Sequence, residues 1–262
     1  MQHFGITRAF EQAGYYDSAH HQELVGEIRG AITAGRLIAI CGVIGSGKTA
    51  LLRRLQEILK EDGKITVAQS LSVEKHRLKL ADFMTALVYD LSSEPPVRIL
   101  NGKQRERQLR ELVRKNQKPV ALFIDDAHDL TRRALTELPH LMELIESDGG
   151  RLAVVLAGQP ALRTELRHAT RKENGDRTCV LSLEGMAGSQ RDYIRWLLTA
   201  CTADQKAAET TLTAEAIERL AKLRTPLKIQ RYLILALEAS YRVGRPPLPP
   251  SHRDLLQFIE KQ

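Results

Sequence analysis

The first 185 residues alternate between short apolar runs and longer amphipathic stretches. Continuous apolar runs typical of buried parallel strands occupy residues 37–41, 120–124 and 152–157, and two weaker runs predict further strands over 65–69 and 178–183. Between these runs, apolar side chains recur every three or four positions, which predicts helices over 22–34, 50–60, 81–91, 104–116 and 131–146. This alternation favours an α/β fold whose parallel sheet is covered by helices on both faces.

The pattern changes close to residues 184–188. Beyond that point the periodicity is helical only, over 189–201, 213–224 and 226–243, and Thr213 is a plausible N-cap. A proline-rich break at 246–250 precedes a last short helix over 253–261. We therefore predict two domains, an α/β domain over residues 1–185 that includes the N-terminal segment and a small all-helical domain over residues 186–262.

Composition excludes several classes of protein. Hydrophobic residues make up 43% of the chain and charged residues 27%, which is ordinary for a globular protein and not for a disordered or fibrous one. No apolar run approaches the ~20 residues of a membrane-spanning helix, so no membrane partner is expected. The N-terminus lacks the pattern of a signal peptide, and the three cysteines form no metal-ligand spacing. A reduced, cytoplasmic compartment follows from these observations.

The charge is positive, with 39 Lys and Arg against 32 Asp and Glu, a net charge of +7. Two interpretations are open at this point: a polyanionic partner, chiefly nucleic acid, or simply a basic surface.

A glycine-rich loop follows the first predicted strand and precedes an amphipathic helix. Residues 42–49 match the pattern G-x-x-x-x-G-K-[ST], in which backbone N–H groups and the helix N-terminus surround phosphate groups. Lys48 is expected to reach the β- and γ-phosphates of ATP, and the Thr49 hydroxyl to bind Mg²⁺. The predicted phosphate-binding segment comprises Gly42, Val43, Ile44, Gly45, Ser46, Gly47, Lys48, Thr49 and Ala50.

Two acidic residues end the third predicted strand. Asp125, at the strand tip, is the expected partner of Mg²⁺ through water, and Asp126 is expected to hold the attacking water. The alternative for this pair is an acidic strand end that faces solvent.

Together these features resemble AAA+ ATPases, and more narrowly the ExeA-like and TniB/TnsC/MuB-like group. That group includes the ATP-dependent target-selection proteins of DNA transposons. The resemblance is carried by the phosphate loop, by the Walker B strand followed by residues 127–130, by the segment at 156–163 and by the helical lid. Phe4-Gly5-Ile6, residues 15–21 and the lid segment 226–241 add to it.

The resemblance also implies roles for residues after the fourth strand. Gln159 would stand at the sensor 1 position, facing the γ-phosphate or its water, although a turn residue before Pro160 would look the same. An arginine finger acting on the neighbouring subunit would come from Arg177, Arg171 or Lys172, and we favour Arg177 because it directly precedes the fifth strand.

The chain departs from this family at two positions. Asp126 stands where Glu is usual; its side chain is one methylene shorter, so we expect slow or partner-stimulated hydrolysis. Leu227 follows the lid proline where sensor 2 arginine is common, so Lys228, Arg231 or no residue takes that role.

In transposition ATPases similar to this chain, the side of the domain near the second strand lines a pore that tracks the DNA backbone. This implies sequence-independent phosphate contacts from Lys75, Arg77, Lys79, Arg98 and Lys103. The competing interpretation is that helix 104–116 is an ordinary solvated face, with Arg107–Glu111 and Arg110–Glu106 pairs.

The sequence therefore predicts an ATPase that regulates DNA transposition. In its ATP state it is expected to form a ring or helical filament on double-stranded DNA and to recruit or activate a transposase, with hydrolysis driving disassembly. The alternatives are an ExeA-like secretion ATPase, a helicase-loader type of replication ATPase and a small-molecule P-loop kinase.

Overall fold

We describe the protein from a computed structural model. The structure describes residues 2–69, 76, 78–92, 102–170, 177–203 and 205–243. The described residues form two compact units, one made of 19–44 and 48–183 and the other of 2–18, 45–47 and 184–243.

The larger unit alternates strands with helices. Its strands are β1 (Leu37–Cys41), β2 (Thr66–Gln69), β3 (Val120–Ile124), β4 (Leu152–Gly158) and β5 (Thr178–Ser182). Its helices are α1 (Ala19–Thr33), α2 (Lys48–Asp62), α3 (Leu80–Leu91), α4 (Gly102–Lys115), α5 (Arg132–Ser147) and α6 (Ala161–Thr170).

The five strands form one parallel sheet in the order β2-β3-β4-β1-β5. Helices cover both faces, so β1, β3 and β4 are buried at every position, which explains their unbroken apolar sequences. The predicted fold class, a parallel α/β sheet followed by a helical region, is thereby confirmed. Because the strands are parallel, the carboxyl ends of β3, β4 and β1 lie side by side at one edge of the sheet.

The second unit is helical. It contains α7 (Gln190–Cys201), α8 (Gln205–Thr211), α9 (Ala214–Leu220) and α10 (Pro226–Val243). The Thr213 side chain accepts a hydrogen bond from the Ala216 N–H at 3.2 Å, so the predicted N-cap is confirmed. In the described residues, no helix combines the length and the apolar character needed to cross a bilayer.

The N-terminal segment groups with the helical unit, whereas the sequence pattern had assigned it to the α/β domain. Ile6 and Phe10 are buried in the same apolar cluster as Leu197 of α7. The Cys201 carbonyl accepts the Thr7 N–H at 2.9 Å. This packing joins residues distant in sequence, and so leaves no periodic signal in the N-terminal segment itself.

Helices α6 and α8 were absent from the sequence prediction. Among the described side chains of α6, only Leu162 and Leu166 provide a buried stripe, and Pro160 directly precedes the helix, so the local pattern resembles a loop. Helix α8 is seven residues long and largely polar. The predicted proline-rich break and last helix at 246–261 lie outside the described residues.

Candidate functional site

The phosphate loop connects β1 to α2 in a conformation that requires glycine. Gly45 and Gly47 have φ angles of +77° and +99°, in the left-handed region where a side chain is strained. The Gly42 N–H donates to the Gly158 carbonyl at 3.1 Å, which fixes the start of the loop to the end of β4. Gly45–Gly47 groups with the helical unit, where the Gly45 carbonyl accepts the Leu227 N–H at 3.4 Å.

Lys48 folds back onto the loop that precedes it. Its Nζ donates to the carbonyls of Gly42 at 2.9 Å and Val43 at 3.0 Å, and the residue is 9% exposed. Burial lowers the pKa of Lys48, while the nearby carboxylates of Asp125 and Asp126 act in the opposite direction. The result is a partly desolvated cation, the environment in which attraction to an anion is strongest.

Thr49 and Asp125 come together across the sheet edge. The Thr49 hydroxyl donates to Asp125 Oδ2 at 2.7 Å, and Asp125 Oδ1 accepts the Asp126 N–H at 2.9 Å. A hydroxyl and a carboxylate are the hard oxygen ligands that Mg²⁺ prefers. In the described part of the chain, no cluster of three or more His, Cys, Asp or Glu side chains is arranged to hold a metal ion.

Asp126 has an unusual backbone. Its φ and ψ angles of 50° and 37° lie in the left-handed region, which most residues other than glycine avoid and which Asp and Asn tolerate best. The side chain is exposed, and the residue directly precedes a short 3-10 turn, Ala127–Asp129, without capping it through its side chain. The strained backbone turns the chain sharply as β3 ends.

Gln159 follows β4, between the phosphate loop and Asp125 along the sheet edge. Its Nε2 lies 2.8 Å from His128 Nε2, a partner that the sequence did not indicate. The family motif drew attention to residues 127–130, but only the fold shows that His128 contacts Gln159.

A family model described as an AAA domain matches residues 32–166, just over half of the chain. The chain belongs to the AAA domain family. The match spans the phosphate loop, Asp125, Asp126 and Gln159, and membership implies a nucleotide-hydrolysing ATPase in general terms. None of the curated proteins compared with the AAA chain matches it.

Solved structures with the same fold include Cdc6p, ORC1 and DnaA proteins. Cdc6p from Pyrobaculum aerophilum is 19% identical with a TM-score of 0.62, over 92% of this chain and 68% of that one. ORC1 from Aeropyrum pernix, solved in complex with DNA, is 16% identical with a TM-score of 0.56, over 86% and 60%. AMPPCP-bound DnaA from Aquifex aeolicus is 19% identical with a TM-score of 0.50, over 87% and 64%. The AAA chain spans 60–68% of the length of these three proteins, and the likeness establishes the fold alone.

Arg177 of the AAA chain lies at the amino end of β5. The phosphate loop lies at the carboxyl end of the neighbouring parallel strand, β1. Arg177 precedes β5, whose five residues span about 16 Å, and its Nη1 donates to Glu146 Oε2 at 2.7 Å. The geometry therefore separates Arg177 from Lys48 and from the Thr49–Asp125 pair of the same chain. Arg171 and Lys172 lie outside the described residues.

The sensor 2 candidates, Lys228 and Arg231, are both exposed near the start of α10 in the helical unit. The Lys228 N–H lies 3.4 Å from Thr225 Oγ1.

Two of the five predicted DNA-contacting residues are described. Lys79 and Lys103 are exposed, at the start of α3 and α4 respectively, while Lys75, Arg77 and Arg98 lie outside the described residues. The arginines of α4 are engaged within the chain: Arg107 with Glu111 at 3.2 Å and Arg110 with Glu106 at 2.9 Å, the two pairs that the sequence predicted. Arg110 and Arg114 also bind Asp148, so the free positive charge on α4 is smaller than the sequence suggests.

Proposed function

We propose that this AAA protein binds ATP with Mg²⁺ at the phosphate loop and hydrolyses it. The observation that carries the proposal is the 2.7 Å contact between the Thr49 hydroxyl and Asp125, which brings the two expected magnesium ligands together beside Lys48. When bound, Mg²⁺ supplies charge neutralisation at the phosphates, and Thr49 and Asp125 would hold it, Asp125 through water.

The remaining roles belong to the residues around this pair. Lys48 would exchange its two carbonyl partners for phosphate oxygens, and the N–H groups of residues 42–50 would surround the phosphates. Asp126 would orient the attacking water, and Gln159 would face the γ-phosphate or that water. Because Asp126 is shorter than the usual Glu, hydrolysis would be slow unless a partner stimulates it.

Assembly would complete each site. Arg177 lies at the opposite end of the strands from its own phosphate loop, so it would serve the site of a neighbouring subunit after breaking its ion pair with Glu146. Lys228 would take the sensor 2 role, and Arg231 would take it if Lys228 does not. This arrangement predicts a ring or helical filament that forms in the ATP state.

We further propose that the assembly binds double-stranded DNA and recruits a transposase to it. The net charge of +7 and the exposed Lys79 and Lys103 support a contact with the phosphate backbone. Lys75, Arg77 and Arg98 complete the proposed set. The transposase is proposed from the resemblance to transposon target-selection ATPases, and hydrolysis would dismantle the assembly.

A replication ATPase of the helicase-loader type is the second candidate. It is favoured by the fold that the chain shares with Cdc6p, ORC1 and DnaA, of which ORC1 was solved with DNA.

The distinguishing experiment is capture on immobilised double-stranded DNA in ATP, with the transposase and the replicative helicase of the source cell offered at equal concentration. We expect retention of the transposase that depends on ATP and on this protein. Lys48→Ala should abolish retention, and Lys60→Ala, an exposed change in the same helix, should leave it intact. Retention of the helicase alone would favour the replication ATPase.

A further inference from the structure

The turn after Asp126 packs closely against the end of β4. A Cβ atom added to Gly158 would lie 3.0 Å from the His128 backbone nitrogen and 2.9 Å from Leu162 Cδ2. This position therefore has no room for a larger residue, and the backbone of the turn approaches the strand end directly. The close approach places His128 beside Gln159, the residue that follows Gly158.

The His128 ring is held in a half-buried position, with its side chain 18% exposed. Its Nε2 lies 2.8 Å from Gln159 Nε2, whereas the nearest carboxylate oxygen, Asp129 Oδ1, is 3.7 Å away. A neutral imidazole can accept from the amide NH₂ group through Nε2; with the amide turned over, Nε2–H would instead donate to the amide oxygen. Either way, Gln159 is the partner that orients the ring.

The second ring nitrogen gives an independent indication. His128 Nδ1 is buried and has no hydrogen-bond partner within the described residues. Buried polar atoms are normally paired, so the position of this ring satisfies Nε2 but leaves Nδ1 without a bond. Within the described residues, Gln159 is therefore the one hydrogen-bond partner of the His128 ring.

We propose that His128 is a positioning residue that fixes the Gln159 amide before nucleotide binds, and so links the Walker B turn to the end of β4. The Gly42 N–H donates to the Gly158 carbonyl at 3.1 Å, so the phosphate loop joins the same chain of contacts. The inference rests on the proposed role of Gln159 at the γ-phosphate. A glutamine has three rotatable bonds, and a side chain that is already ordered loses less freedom in the reacting state.

The test is a double-mutant cycle on single-turnover ATP hydrolysis, using Gln159→Ala, His128→Phe and the double variant. His128→Phe keeps an aromatic ring but cannot form the bond. We expect each single variant to lower the hydrolysis rate about tenfold with ATP affinity changed less than twofold, and the double variant to lose no more than the worse single one. His128→Gln, which restores an amide near the position of Nε2, should recover most of the rate.

Other outcomes separate this inference from the proposed function. A large loss in Gln159→Ala with full activity in His128→Phe, or additive losses in the double variant, would overturn the positioning role alone. Unchanged hydrolysis in Gln159→Ala would overturn the proposed role of Gln159 and this inference with it.

A second readout does not need hydrolysis. In the nucleotide-free protein, the side-chain NH₂ signals of Gln159 should be those of an ordered amide, and should shift to flexible, averaged values in His128→Phe. Signals that are the same in both proteins would overturn the proposal even if the wild-type protein hydrolysed no ATP.

Discussion

At the scale of single residues, the backbone of Asp126 gives a physical reason for a short acidic side chain at this position. The left-handed conformation disfavours most side chains, and short Asp and Asn side chains tolerate it because they can bond locally. The sequence predicts only the shorter side chain; the backbone conformation that accompanies it became visible in the structure.

Replacing Asp126 should separate the effect of its side-chain length from the effect of its left-handed backbone conformation. Asp126→Glu is expected to reduce the free energy of unfolding by about 1 kcal/mol, because glutamate is strained in this conformation, and to increase ATP turnover, because its longer side chain reaches the water better. Asp126→Asn should unfold like the wild-type protein and lose about 100-fold in turnover while it still binds ATP. Urea denaturation measures the change in the free energy of unfolding, and steady-state hydrolysis measures the change in ATP turnover. A Glu variant with wild-type stability and turnover would contradict the account.

Lys48 should make stability depend on pH in the alkaline range. Its folded-state pKa is lowered, chiefly by burial, so below that pKa the folded protein holds the charged lysine at a cost in free energy. As pH rises from the lowered pKa toward the ordinary value of about 10.5, the unfolded chain binds more protons than the folded one, and the cost is relieved.

We therefore expect the unfolding free energy of the wild-type protein, relative to Lys48→Met, to increase with pH through that window. Lys60→Met, an exposed change in the same helix, is the matched control and should show no comparable trend. Parallel pH curves for wild-type and Lys48→Met would show that burial of Lys48 carries no such cost.

At the scale of elements, α4 is attached to the end of α5 through Asp148. The side chain of Asp148 is 3% exposed and accepts hydrogen bonds from Arg110 at 3.1 Å and Arg114 at 2.8 Å. Because the Asp148 carboxylate is buried, it relies on both arginines for its hydrogen bonds. The exposed Arg107–Glu111 pair on the same helix is well hydrated and contributes less to stability.

Asp148→Ala is thus expected to lower the free energy of unfolding by about 1–2 kcal/mol, since it removes two charge-assisted hydrogen bonds and the arginines can return to water. Arg107→Ala should cost less than about 0.5 kcal/mol. Equal losses from the two variants in urea denaturation would contradict this assignment of the contacts.

The strands and the long helices could be predicted closely from sequence because their signals are local. The apolar runs gave β1 and β3 to the residue, and the periodicity gave α10 from Pro226 to Val243. The pairing of β1 between β4 and β5, and the grouping of residues 2–18 with the helical unit, depend on contacts between distant segments, which a single sequence does not display.

The same limit applies to the site. Lys48, Thr49, Asp125 and Asp126 were found because their spacing follows a motif with a chemical reason. His128 carries no such signal, since its partner Gln159 is 31 positions away, and neither the Arg110–Asp148 nor the Arg177–Glu146 contact has one.

At the scale of the whole molecule, the positive charge predicts salt-dependent binding to DNA. If Lys79 and Lys103 each contact a phosphate, Lys79→Ala and Lys103→Ala should each reduce the slope of log K against log salt by about 0.9 for duplex DNA, whatever its sequence. Fluorescence anisotropy across a salt titration measures the slope. Lys60→Ala serves as the control for the loss of one exposed positive charge. An equal change of slope in Lys60→Ala would show that the effect comes from net charge and not from a phosphate contact.

The central claim is that DNA binding and ATP hydrolysis are coupled in one assembly of this protein. The most direct test is ATP turnover at low salt, with and without double-stranded DNA, beside Lys48→Ala, with the same samples viewed by negative-stain microscopy. The account predicts slow turnover that DNA stimulates, together with rings or filaments that need ATP and are absent from Lys48→Ala. Turnover that is indifferent to DNA, from a protein that remains monomeric in ATP, would contradict it.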